Sequence, residues 1–122
     1  MPHVVDLVDK ILADLKQVGG VEACAAATRD GLLIRALMQQ EQFAESFAAM
    51  SATMLGAAET ATTELGKGVP NRVIVESDHG RLIAVGAGPK ALLMVLVNST
   101  AGLGLILLEL DKTANKLKEV LV

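Results

Sequence analysis

The stretch LIAVGAGPKALLMVL, residues 82–96, has the spacing in this chain most suggestive of chemistry. A strand-like run from Leu82 to Val85 meets Gly86, Gly88 and Ala91 as G-x-G-x-x-A, and Glu109 closes a second apolar run downstream. In a dinucleotide-binding fold such glycines let a turn approach a pyrophosphate, and a later carboxylate holds a ribose hydroxyl. The surroundings argue against that use. PKALLMVLVNST would have to be the crossover helix, yet it lacks a polar face and holds valines that suit a strand. Only the segment after Glu109 would remain to extend a parallel sheet, and it reads as a helix. Gly86 and Gly88 are therefore expected to shape a β-turn, with no cofactor bound.

The other reactive groups are sparse. Ser77, Asp78 and His79 are neighbours in one tight turn, whereas a catalytic triad draws its members from separate elements. His3 lies at the start of the chain, and two histidines with one cysteine, all well separated, give no zinc spacing. Cys24 is the sole cysteine, so it forms no internal disulfide; among alanines it reads as a small buried side chain. Helical carboxylates stand near lysines at i,i+4, as in Asp6 and Lys10, which is the pattern of a solvated face. No catalytic, metal or cofactor constellation emerges, and the expectation is an interaction module that is not an enzyme.

Composition narrows the class further. With 122 residues the expectation is one domain over residues 1–122, long enough to bury a core. Hydrophobic residues make up 52% and aromatics 2%, so that core must be aliphatic. A net charge of −3 with no basic block argues against nucleic acid as a partner. Ala91 to Leu108 is free of charge, but Asn98-Ser99-Thr100-Ala101-Gly102 interrupts it as a loop, so no membrane span is expected. The opening MPHVVDLVDK lacks the features of a signal peptide, and the expectation is a cytoplasmic protein.

The elements that would carry any site follow from periodicity. Val4, Val8, Ile11, Leu15 and Val18 predict a helix over 4–18, stopped by Gly19-Gly20. VEACAAAT and LLIRALM predict a hairpin around Asp30-Gly31, and the small residues of the first strand predict a helix packed closely over it. RVIVES and LIAVGA form a second hairpin, ALLMVLV a fifth strand, and residues 103–122 a closing amphipathic helix. The result is α-β-β-α-β-β-β-α: an α+β sandwich with a five-stranded antiparallel sheet and helices on its faces.

The central helix, 41–66, carries two apolar stripes. Phe43, Phe47, Met50, Met54, Ala58, Ala61 and Leu65 make one apolar stripe, in which Met50 and Met54 read as core filler while Phe43 and Phe47 suit either core or interface. Ala44, Ala48, Ser51, Ala52 and Leu55 form a second strip, small and uncharged. So little charge on a surface helix of this length points to a second subunit, with small residues allowing close approach of two backbones. The expected dimer interface is therefore Ala44, Ala48, Ser51, Ala52 and Leu55, with Met38 at a sheet junction.

Element order and several phrases, QVGGVEACAAATRDGLLI, EQFAESFAAMSATML, NRVIVESDHGRLIAVGAGPKALLMVLV and NSTAGLGLILLELDKTANKL, resemble the roadblock / dynein light chain family, specifically its prokaryotic single-domain members. That resemblance covers essentially the whole chain. It implies a profilin- or longin-like fold and a homodimer whose sheets join across subunits. It further implies a non-enzymatic scaffold that binds a small Ras-like GTPase and modulates its nucleotide cycle, in polarity, motility or related signalling. Arg29 and Arg81, which lie in or beside turns, are then the candidates for contact with that partner. A small-molecule sensor holding its ligand between helix and sheet is the alternative, although the expected lining of Ala, Leu, Val and Met offers no evident polar anchor.

Overall fold

Period-two alternation divides the strands between two apolar cores. The computed structural model describes residues 3–121. In chain order it contains α1 (Val4–Lys16), β1 (Val21–Thr28), β2 (Leu33–Leu37), α2 (Ala44–Glu64), β3 (Arg72–Ser77), β4 (Gly80–Ala87), β5 (Ala91–Val97) and α3 (Leu103–Val120). A single 3-10 turn, Glu41–Phe43, leads into α2. The expected element order is reproduced, with boundaries displaced by a few residues.

The five strands form one sheet in the order β2-β1-β5-β4-β3, with every neighbouring pair antiparallel. β5 is central and buried at six of its seven positions, which accounts for its nearly unbroken apolar sequence. On one face Cys24, Ala26, Ile83, Val85, Leu93 and Val95 meet α1 and α3 through Val8, Leu12, Leu15, Ile106, Leu110 and Leu117. On the other, Ala25, Ala27, Ala84, Leu92 and Met94 meet α2. The molecule is thus a three-layer α/β/α sandwich, and α2 is alone on its side of the sheet.

Two ion pairs fasten the edges to the two-helix layer. Arg35 on β2 makes a bidentate pair with Asp9 on α1, at 2.7 and 3.0 Å. Arg72 on β3 reaches Asp111 on α3 at 3.1 Å. Both pairs are open to water, so they orient the elements more than they stabilise them. Among the described residues no helix is long and apolar enough to cross a membrane.

Candidate functional site

A lone helix over a five-stranded sheet cannot cover it all, and α2 shows which part stays open. Its buried residues are Ala44, Ala48, Ser51 and Leu55, each at most 6% exposed. They sit on the alanines of β1 and on Ala84, Leu92 and Met94. Ala52 is half-buried beside the β1–β2 loop, where a Cβ on Gly31 would stand 3.3 Å from the Ala52 Cβ. The strip expected to meet a second subunit therefore faces the chain's own sheet. The physical reason is matched size: a small-residue strand and a small-residue helix face bring the two backbones close. The Ser51 hydroxyl has no hydrogen-bond partner among the described residues, so packing uses its size and not its polarity.

The bulky stripe is only partly covered, and Met50, expected as core filler, is on its open side. Phe43 is 53% and Met50 61% exposed, while Phe47 and Met54 are half-buried on the flank that looks toward β4 and β3. Phe43, Phe47 and Met50, with Met38, Leu82 and Leu96, border an apolar groove of about 280 Å³ at the end of the sheet where β5 finishes. Val75 on β3 extends this apolar surface to the sheet edge, also exposed. Met38 lies just past β2 and contributes a wall of the groove.

The glycine motif and Arg29 prove to be one structure. Arg29 follows β1, and its Nη2 and Nε both donate to the Gly88 carbonyl, at 2.7 and 3.2 Å. Its Nη1 pairs with Glu59 of α2 at 2.9 Å. The guanidinium lies across Gly86, where a Cβ would come within 2.5 Å of Nη2. Gly88 has φ +78, and the Lys118 stem packs on it so closely that a Cβ would approach Cγ to 2.8 Å. Gly86 is therefore bare to admit an arginine, and Gly88 to make a turn. Three elements, β1, α2 and the β4–β5 turn, are joined by this one side chain. Sequence reading had no access to that bond, because its partners are 59 residues apart.

Arg81, the other expected contact residue, is similarly engaged. Its Nε faces Glu76 at 3.4 Å and its Nη1 donates to the Ala101 carbonyl at 3.3 Å. All four arginines thus hold carboxylates of their own chain.

Cys24 is fully buried, and its Sγ–H donates to the Leu12 carbonyl at 3.4 Å. Burial pushes the thiol from its ordinary 9.0 up to about 11, against a smaller opposing effect of Lys16. Inert packing is the consequence. Iodoacetamide at pH 8 is expected to leave Cys24 unmodified in the folded protein, with a rate at least about a hundredfold below that in denaturant. A rate within a fewfold of the denatured one, followed by mass spectrometry, would contradict this. The folded state holds the thiol proton more tightly, so this group's contribution to stability is complete below pH 9 and is lost as pH rises toward 11.

A buried thiol, four engaged arginines and an open apolar flank make a surface suited to association. Among the described residues no group of His, Cys, Asp and Glu could hold a metal ion. The Roadblock/LC7 domain model matches residues 7–97. The uncharacterized protein MJ0310 of Methanocaldococcus jannaschii is 31% identical over 92% of this chain and 97% of its own. Among solved structures, Myxococcus xanthus MglB superposes with a TM-score of 0.89 at 18% identity, covering 99% of this chain and 92% of that one. The gliding protein MglB of Thermus thermophilus gives 0.87 at 17% identity, covering 98% and 92%. At these identities the structural likeness establishes the fold.

Proposed function

This chain belongs to the Roadblock/LC7 domain family, and from that premise we propose that it is a non-enzymatic homodimeric platform that binds a small Ras-like GTPase and biases its nucleotide cycle. The observation that carries the dimer is the uncovered flank of α2. Phe43, Met50, Val75 and Leu96, between 37% and 61% exposed, form with Phe47 and Leu82 a contiguous apolar surface of the kind that soluble monomers seldom leave open. A second copy laid across it sets one α2 beside the other. It also brings the β3 edges together, because the exposed Val75, paired with Leu82, carries the apolar surface onto that edge strand. On this reading the sheet junction falls at β3, and Met38 serves as groove wall.

The GTPase is supported by the family resemblance, and the arginines limit the mechanism. An arginine finger must reach a transferring phosphoryl group with a free guanidinium. Here Arg29 is committed to Glu59 and Gly88, and Arg81 to Glu76 and Ala101. Any stimulation of hydrolysis then comes from ordering the partner's own catalytic groups. Small GTPases from the same cell, loaded with GDP or a non-hydrolysable GTP analogue, are expected to bind at least about tenfold more tightly in one state than in the other. Equal affinity in both states, or none in either, would overturn the proposal. Arg81→Ala is expected to leave any stimulated turnover within about threefold, whereas loss of a finger costs ~10³-fold or more.

A further inference from the structure

On the two-helix side, a cavity of about 660 Å³ opens between the β4–β5 turn and the last turns of α3. That volume falls within the ~300–1,000 Å³ usual for small-molecule sites. Ala87, Pro89 and Leu121 give it an apolar lining, while Lys90, Lys118 and Asn115 bring polar ends to it. Among the described residues Glu119 is the one carboxylate of the lining, against the two lysines. Lys90 and Lys118 enter no ion pair among the described residues. Lys90 and Leu121 also wall a second, neighbouring apolar groove of about 280 Å³, bordered by Val4, Ile34 and Val120. Lys90 stands at the wall the two spaces share, and Lys118 lines the larger one alone.

We propose that this cavity binds a free amphipathic carboxylate, an unbranched apolar tail with one anionic head. The head lies in the larger cavity and pairs with Lys90 and Lys118, and the tail runs past Leu121 along the second groove. Two features of the turn prepare it. The Lys118 stem is seated on Gly88, which limits where its ammonium can go. Arg29 fixes the same turn from the opposite side, so the turn need not order itself when the ligand arrives. Occupancy would thereby sit one hydrogen bond from the Arg29–Glu59 link to α2. The site does not depend on the GTPase partner proposed above.

Decanoate, added to the 15N-labelled protein below its micellar concentration, is expected to shift the amides of Gly88, Lys90, Asn115 and Lys118 saturably. The Lys90→Gln, Lys118→Gln double variant should bind it about tenfold more weakly, as befits loss of two partly exposed charge contacts. Its affinity for decan-1-ol, which has the tail without the charge, should be unchanged. The unliganded spectrum of the double variant reports whether its fold is intact, and both substitutions are at exposed positions. Shifts confined to the Phe43, Phe47 and Met50 groove, no saturable shift, or equal decanoate affinity in the variant would each overturn the site. Binding to phosphatidylglycerol vesicles with none to free decanoate would overturn it in favour of a lipid surface.

Discussion

Ala48→Glu is expected to unfold the chain, lowering the melting temperature by about 15 °C or more. Ala48 is fully buried one turn into α2, against the alanines of β1. A glutamate there adds volume to a closely packed interface between helix and sheet, costing roughly 1–3 kcal/mol by overpacking alone. No cation is positioned to meet the new carboxylate, since the nearest arginine along that face, Arg29, is committed to Glu59 and Gly88. An unpaired charge in such a place costs several kcal/mol more, and the total approaches the ~5–15 kcal/mol that holds a domain folded. Thermal unfolding by circular dichroism decides it. A soluble Ala48→Glu monomer melting within a few degrees of the parent would return the small-residue strip to the role of subunit interface.

The inversion of the two α2 stripes marks where sequence periodicity stops being informative. Helical spacing resolved both stripes and the hairpins gave antiparallel neighbours, but neither supplied the β1–β5 pairing at the centre of the sheet, and spacing does not say what covers each stripe. Size rules favour Phe and Met for a core, yet on α2 Phe43 and Met50 are exposed and Phe47 and Met54 only flank the core. The missing signal was available in β1. Ala23, Ala25 and Ala27 predict a helix packed close over the strand, and the only helix face small enough to do so is Ala44, Ala48, Ser51 and Ala52. Joining those two readings places the bulky stripe outside. The Arg29 turn was beyond such reasoning. Gly88 was rightly read as a turn residue, whereas Gly86 lies within β4, paired with Leu92; their reason for being glycine is an arginine and a lysine from distant segments. A side-chain to carbonyl bond across the fold leaves no periodic trace.

Met50→Glu is expected to do the reverse of Ala48→Glu, sparing the fold and separating the subunits. Met50 is 61% exposed in the single chain, so a glutamate there stands in water and should move the melting temperature of the monomer by no more than about 2 °C. In the proposed dimer the same position lies between two α2 helices, among Phe43, Phe47 and their counterparts. Two carboxylates are then buried close together across the symmetry axis, with no cation from either copy. Desolvation and like-charge repulsion should weaken association about a hundredfold or more. Sedimentation velocity at micromolar concentration reads this directly, as a shift from dimer to monomer mass. Phe43→Glu, at the rim of the groove, should act in the same direction with a smaller effect, because a rim charge keeps part of its hydration. An intact Met50→Glu dimer would move the interface off this flank, and the exposed Leu105 and Leu108 of α3 would become the next apolar surface to test. Because the two α2 stripes share one helix, opposite outcomes for Ala48 and Met50 cannot arise from a general loss of helicity. They would separate the face that builds the fold from the face that builds the assembly.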